Sequence, residues 1–205
     1  MLSISIQAGG QSQRMGRDKA LMSFLGRPLI QRVLERLSPL ADETLVTTNN
    51  PDDYRFLNLP LFPDLKPGRG ALGGLFTALS SATCEAVAVA ACDMPFASAS
   101  LIEAANRLLV EEEADVVIPD SGGGLEPLHA VYRRETCLPA IEAAIEADKW
   151  RLISWFPEVK VRILQPDEIK AYDPSGLAFW NLNTPEEFIE AEERARRDDS
   201  RIAPT

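Results

Sequence analysis

Two stretches of this chain combine residues suited to handling a phosphorylated small molecule. In the first, Gly9 and Gly10 follow the β-prone run Ser3–Ala8, and Arg14 and Lys19 come shortly after. Glycines at a strand end let backbone N–H groups turn toward a ligand, and a helix or turn opening there makes an anion site. In the second, Asp93 ends the apolar run Glu85–Asp93 just ahead of Pro95. A carboxylate at such a strand end suits Mg²⁺, which keeps waters and takes one or two carboxylates plus phosphate oxygens. The alternative is an acid that complements a helix dipole. Neither familiar phosphate loop fits. Five residues separate Gly10 from Gly16, Lys19 lies beyond Gly16, and Ala20 stands where a P-loop needs Ser or Thr. The dinucleotide pattern G-x-G-x-x-G is also unmet. The loop is therefore a phosphate loop of another kind.

The charge distribution narrows the ligand. The net charge is −10, which argues against polynucleotides and anionic membranes as partners. Yet between Met1 and Arg36 the bases Arg14, Arg17, Lys19, Arg27, Arg32 and Arg36 face only Asp18 and Glu35. A basic island in an acidic chain suits a small anionic substrate, although Arg32 and Arg36 read more simply as a solvated helix face. Cys84, Cys92 and Cys137 are odd in number and lack zinc spacing, which predicts reduced thiols and a cytoplasmic protein. Neither a signal peptide nor a membrane-spanning apolar run is expected.

Short β-type runs alternate with helical ones. Strands are expected over 3–8, 44–49, 85–93, 114–120, 126–133, 159–164 and 177–183, with a short strand or extended piece at 59–64. Helices are expected over 28–40, 70–82, 99–113, 136–147, 150–156 and from Thr184, where Thr184, Pro185 and Glu187 form a capping box. This predicts one α/β, Rossmann-like domain over residues 1–197, with a mostly parallel central sheet, helices on both faces and a frayed tail at 198–205. Ligands of such sheets sit beyond the carboxyl ends of the strands. Three segments lie there: Gln7–Lys19, Asn49 with Asp64–Gly74, and Cys92–Pro95.

"AGGQSQRMGRDKAL" resembles the signature L-A-G-G-x-S-x-R-M-G-x-D-K of nucleotidyltransferases, in detail that of the molybdenum cofactor guanylyltransferases, the MobA family. The likeness continues in "GRPLIQRVLERL", "FPDLKPGRGALGGLFTAL", "AACDMPF", "EPLHAVYRR" and "AFWNLNTPEEF", in family order from Ser3 to about Glu190. It implies a Mg²⁺-dependent transfer of GMP from GTP to the terminal phosphate of molybdopterin, with or without molybdenum, releasing pyrophosphate. A molybdoenzyme chaperone is a further candidate partner. Use of CTP or of another phosphate acceptor is the alternative, and a non-catalytic nucleotide-binding adaptor a second one. Ala8-Gly9-Gly10 and Arg14-Met15-Gly16 favour the guanylyl branch.

The resemblance assigns roles residue by residue. Catalysis falls to Arg14, Lys19 and Asp93, with Asp93 as the metal ligand. Nucleotide binding falls to Gln7, Ala8, Gly9, Gly10, Lys19, Thr47, Asn49, Asp64, Gly70, Gly73 and Asp93. Gln7 replaces the family's usual Leu and could hydrogen-bond a purine edge. Thr47 stands at the first position of the family's N-x-N, and Asn49 at the second. Asn181 and Asn183, with Trp180 nearby, match positions thought to meet the pterin substrate; their simpler role is bracing the last helix. Residues 1–100 would thus serve nucleotide and metal, and 101–197 the acceptor. His129, alternating with apolar neighbours, reads as a half-buried strand residue and not as a base.

Overall fold

The structure, a computed structural model, describes residues 1–8 and 18–202, with side chains to residue 197. Among these, seven strands form one sheet. In spatial order they are β5 (Leu61–Phe62), β4 (Glu43–Thr47), β1 (Leu2–Gln7), β6 (Ala86–Ala91), β8 (His129–Arg133), β7 (Val116–Pro119) and β9 (Val161–Leu164). The β1·β4, β1·β6, β4·β5 and β7·β9 pairings are parallel, and β8 alone runs antiparallel to both neighbours. The mostly parallel α/β architecture is as the sequence predicts. A two-stranded ribbon, β2 (Ser23–Phe24) with β3 (Arg27–Pro28), stands apart from the sheet.

Both faces of the sheet are covered, so its central strands are apolar on both sides. On β6, Ala86, Ala88 and Ala90 pack with the helices α1 (Leu29–Leu37) and α4 (Ala99–Glu111). Val87 and Val89 face the opposite way, toward α3 (Gly70–Ser81) and α5 (Arg134–Glu146). Leu29, Ile30, Val33, Leu34 and Leu37 form the buried stripe of α1. A third cluster docks α7 (Pro185–Ile202) through Phe188, Ala191 and Ala195 onto Phe24, Leu29, Phe96 and Leu182. The expected capping box is present: Glu187 N donates to Thr184 Oγ1, and the Glu187 carboxylate accepts from Thr184 N. No helix of the described residues is long and apolar enough to cross a membrane.

Two expected elements are absent, and unexpected ones occur besides the β2–β3 ribbon. The 177–183 segment is irregular and is not a strand. Its period-two pattern reflects buried Ala178 and Leu182, while its backbone is spent locally: Trp180 N donates to Leu177 O, and Ala178 N to the Asp173 carboxylate. The 150–156 segment is a series of turns and not a helix, closed by Ser154 N to Arg151 O and Phe156 N to Ile153 O. Pro157 offers no N–H to continue it. The added α-helices are α2 (Pro51–Tyr54) and α6 (Pro166–Tyr172), the latter held by a Gln165/Glu168 capping box.

His129 is more deeply enclosed than its alternation suggests, at 1% exposure. Its Nε2 accepts from Ser98 N, the residue that caps α4. That bond leaves the proton on Nδ1. Burial holds the imidazole pKa down at about 4, below its ordinary 6.5. Below 6.5 the unfolded chain takes up a proton that the folded chain refuses. Stability should therefore fall as pH drops from 6.5 toward 4, by up to about tenfold in the folding equilibrium per pH unit. His129→Gln keeps an acceptor for Ser98, and urea denaturation at a series of pH values should find this variant's pH dependence shallower by about that slope. An unchanged slope would contradict a neutral, buried His129.

Candidate active site

The carboxyl ends of β1, β4 and β6 lie side by side, and the segments leaving them form the site. Lys19 opens a short 3-10 turn, Lys19–Leu21, started by Asp18. One Asp18 oxygen accepts from Ala20 N at 3.0 Å, and the other accepts from the Tyr54 hydroxyl at 2.6 Å. Tyr54 is fully buried on α2. Burial, then the bond to Asp18, pushes its hydroxyl pKa far above the ordinary value, so it remains a donor. Asp18 is thereby held at both oxygens, which fixes where the next residue points.

Lys19 Nζ donates to Asn183 Oδ1 at 2.7 Å and lies 3.5 Å from Asp93 Oδ2. Both charged side chains are largely enclosed, at 13% and 20% exposure. Asp93 leaves the end of β6, and its backbone carbonyl accepts from Leu182 N. Burial raises the Asp93 pKa, and the nearby ammonium opposes that rise only in part. The carboxylate is thus short of compensating positive charge. Burial, reinforced by Asp93 and Asp18, pushes the thiol pKa of neighbouring Cys92 well up, which favours the protonated thiol.

A second pair joins β4 to the loop after β5. Asn49 Nδ2 donates to Asp64 Oδ2 at 2.8 Å, and Asp64 N donates back to Asn49 Oδ1 at 3.0 Å. The loop beyond is pinned by Leu65 N to Thr77 Oγ1, and that hydroxyl donates to Gly73 O. At Gly73 a Cβ would come 2.8 Å from Lys66 O, so only glycine lets the loop close onto α3. Gly70 begins that helix. Lys66 and Arg69, on the same loop, pair with Glu142 and Asp148.

The third contact is between Gln7 and α3. Gln7 ends β1 at 7% exposure, and a Cβ at Gly74 would meet its amide at 3.0–3.2 Å. Gln7 Nε2 has no hydrogen-bond partner among the described residues. A buried amide donor without a partner costs about 1–3 kcal/mol, a cost that a ligand acceptor would remove.

The sequence-predicted residues thus divide. Lys19, Asp93 and Asn183 meet; Asn49 meets Asp64; Gln7 meets Gly74. Thr47 is buried on β4, and its carbonyl accepts from Ala8 N. Asn181 bonds locally to Phe179 O and does not reach Lys19. Gly9, Gly10 and Arg14 lie outside the described residues. Arg36 donates to Ala97 O and Arg27 pairs with Glu35, so these members of the basic island brace structure. Sequence reasoning missed Asp18 and Tyr54. Asp18 beside Lys19 was a visible signal, whereas Tyr54 offered none.

The described residues include no cluster of three His, Cys, Asp or Glu side chains able to hold a metal by themselves. The donor set at Asp93 is one carboxylate, enclosed and short of positive charge. That fits Mg²⁺ arriving with phosphate oxygens better than a resident metal.

Comparison with known proteins identifies the family. Residues 4–160 match the model of the MobA-like NTP transferase domain. A probable molybdenum cofactor guanylyltransferase of Carboxydothermus hydrogenoformans is 36% identical over 91% of this chain and 93% of its own length. The molybdenum cofactor guanylyltransferase of Desulfosudis oleivorans is also 36% identical, over 91% and 92%. Among solved structures, the molybdopterin-guanine dinucleotide biosynthesis protein A of Archaeoglobus fulgidus superposes with a TM-score of 0.82 at 26% identity, covering 95% of this chain and 99% of that one. On the length of the family match and the identity to full-length relatives, the chain belongs to the MobA-like NTP transferase family.

Proposed function

We propose that this protein is a molybdenum cofactor guanylyltransferase, transferring GMP from GTP to the terminal phosphate of molybdopterin. The observation that carries the reading is the enclosed Lys19 ammonium, shared by Asp93 and Asn183 at the carboxyl edge of the sheet. It supplies positive charge where a triphosphate would lie, next to a carboxylate suited to a phosphate-bound metal. The names of the curated relatives supply the nucleotide and the acceptor.

In this reaction an acceptor phosphate oxygen attacks the α-phosphorus of GTP. A new P–O bond forms, the bond from the α-phosphorus to the bridging oxygen breaks, and pyrophosphate leaves with the electron pair. The task of the protein is positioning and charge stabilisation. Lys19 donates to phosphate oxygens as negative charge builds up on them. Asn183 and Asp93 hold that ammonium in place before the ligand arrives. Asn49, locked to Asp64, and the unsatisfied amide of Gln7 offer polar contacts to base and ribose. Arg14, Gly9 and Gly10 are assigned to the phosphates by the family motif. Asp93 would hold Mg²⁺, which when bound neutralises charge shared among the phosphates.

Two outcomes test the reading. With a molybdopterin acceptor, pyrophosphate release should be fast with GTP and at least about tenfold slower with CTP, the difference that one or two base hydrogen bonds supply. Equal rates would remove the guanylyl assignment. Asp93→Asn keeps the side-chain shape and removes the charge. Turnover should drop by about a hundredfold or more. The melting temperature is read alongside, because Lys19 then loses its enclosed counter-charge and keeps only Asn183 as its partner. Near-normal turnover at limiting Mg²⁺ would exclude Asp93 as the metal ligand.

A further inference from the structure

A cavity of about 460 Å³ opens beside the irregular 177–183 segment. That volume suits a small organic ligand. Its wall includes Ser121 and Glu126 from the β7–β8 connection, Lys170 from α6, and Phe179 and Trp180. Trp180 stacks on Phe96 with ring centroids 5.7 Å apart and 11° between planes. One indole face is therefore held by the protein, and the ring stands as a fixed part of the wall.

Glu126 is positioned just as firmly. Its N–H donates to Pro119 O at 2.9 Å, and its carbonyl accepts from His129 N at 3.0 Å. Its Oε1 accepts from Ser121 Oγ at 2.7 Å, which aims the carboxylate, and among the described residues Oε2 makes no hydrogen bond. The turn carrying Ser121 is closed by Ser121 N to Gly124 O. The cavity thus offers an aromatic wall, a carboxylate and an ammonium. Those groups suit a flat heterocycle with adjacent N–H donors on one edge, since a carboxylate can accept two parallel hydrogen bonds.

The cavity also lies close to the transfer site. Two residues beyond Trp180, Leu182 N donates to Asp93 O, and the next residue, Asn183, accepts from Lys19. Two residues of chain span at most about 7 Å. One acceptor molecule could fill the cavity with its ring and reach the Lys19–Asp93 pair with its phosphate.

We propose that this cavity receives the 2-amino-4-oxo pteridine ring of the acceptor, with Glu126 accepting from its 2-amino and N3–H edge and Trp180 forming the wall against its face. The assignment rests on the guanylyl-transfer reading. Guanine carries the same edge, so the competing source of this chemistry is the base of GTP.

Calorimetric titration of the full chain with neopterin 3′-phosphate, lumazine and GTP separates the two. Lumazine has the pteridine ring and lacks the 2-amino group. Glu126→Gln should weaken neopterin phosphate about tenfold or more, the worth of a hydrogen bond to a charged group, change lumazine less, since it keeps N3–H and lacks the 2-amino donor, and leave GTP unchanged. Trp180→Leu should weaken both pteridines; because Trp180 packs on Phe96, its melting temperature is read alongside, and Glu126→Gln carries the decision. Unchanged neopterin phosphate affinity in Glu126→Gln overturns the proposal, and so does a loss confined to GTP. Guanylyl transfer measured on the same wild-type preparation keeps the two readings distinct. Normal transfer with pteridine affinity indifferent to Glu126→Gln overturns the cavity assignment alone. Pteridine affinity that responds to Glu126→Gln in a wild-type chain that transfers no GMP overturns the guanylyl reading and leaves the cavity standing.

Discussion

The arrangement depends on keeping one ammonium and one carboxylate together in a place where neither is well hydrated. Lys19 stands on the turn that follows β1 and Asp93 just beyond the neighbouring β6, and each loses solvation by sitting there. An enclosed ion pair regains that loss only when its remaining hydrogen-bonding capacity is met. Here Asn183, 164 residues along the chain from Lys19, supplies an acceptor for the ammonium. The carboxylate remains under-compensated, as its raised pKa reflects. On the proposed reading, such a site receives a ligand that brings both negative phosphates and a cation.

Much of the surrounding structure follows from that requirement. Asp18 must be rigid for Lys19 to be placed, and buried Tyr54 makes it so. The 177–183 segment must pass beside the end of β6, which Leu182 N secures through Asp93 O. α7 then holds that segment against Phe24 and Phe96, with its capping box at the very residues that follow Asn183. The segment ahead of the C-terminal helix thus meets the N-terminal part of the chain, Asn183 accepting from Lys19.

Elements with strong periodicity were legible in the sequence. The apolar run of β6, the stripe of α1 and the capping box of α7 each carry a local signal that tertiary contacts reinforce. The 177–183 and 150–156 segments misled for the same physical reason. Their burial pattern is real, but it arises from turns docked against other elements, and alternation alone cannot tell a docked turn from a strand. At the site, Lys19, Asp93, Asn49 and Asp64 could be read from motif and strand ends. What joins them could not. The bond from Tyr54 to Asp18, and that from Lys19 to Asn183, link residues with no local relation, and only the fold brings them within reach.

The most direct test of this account is the dependence of Lys19 on phosphate. Dissociation constants for guanosine, GDP and GTP, measured with the wild-type chain and with Lys19→Ala, separate a phosphate contact from a general structural role. The account predicts little change for guanosine and a loss of affinity that increases from GDP to GTP. An equal loss for all three ligands would contradict it.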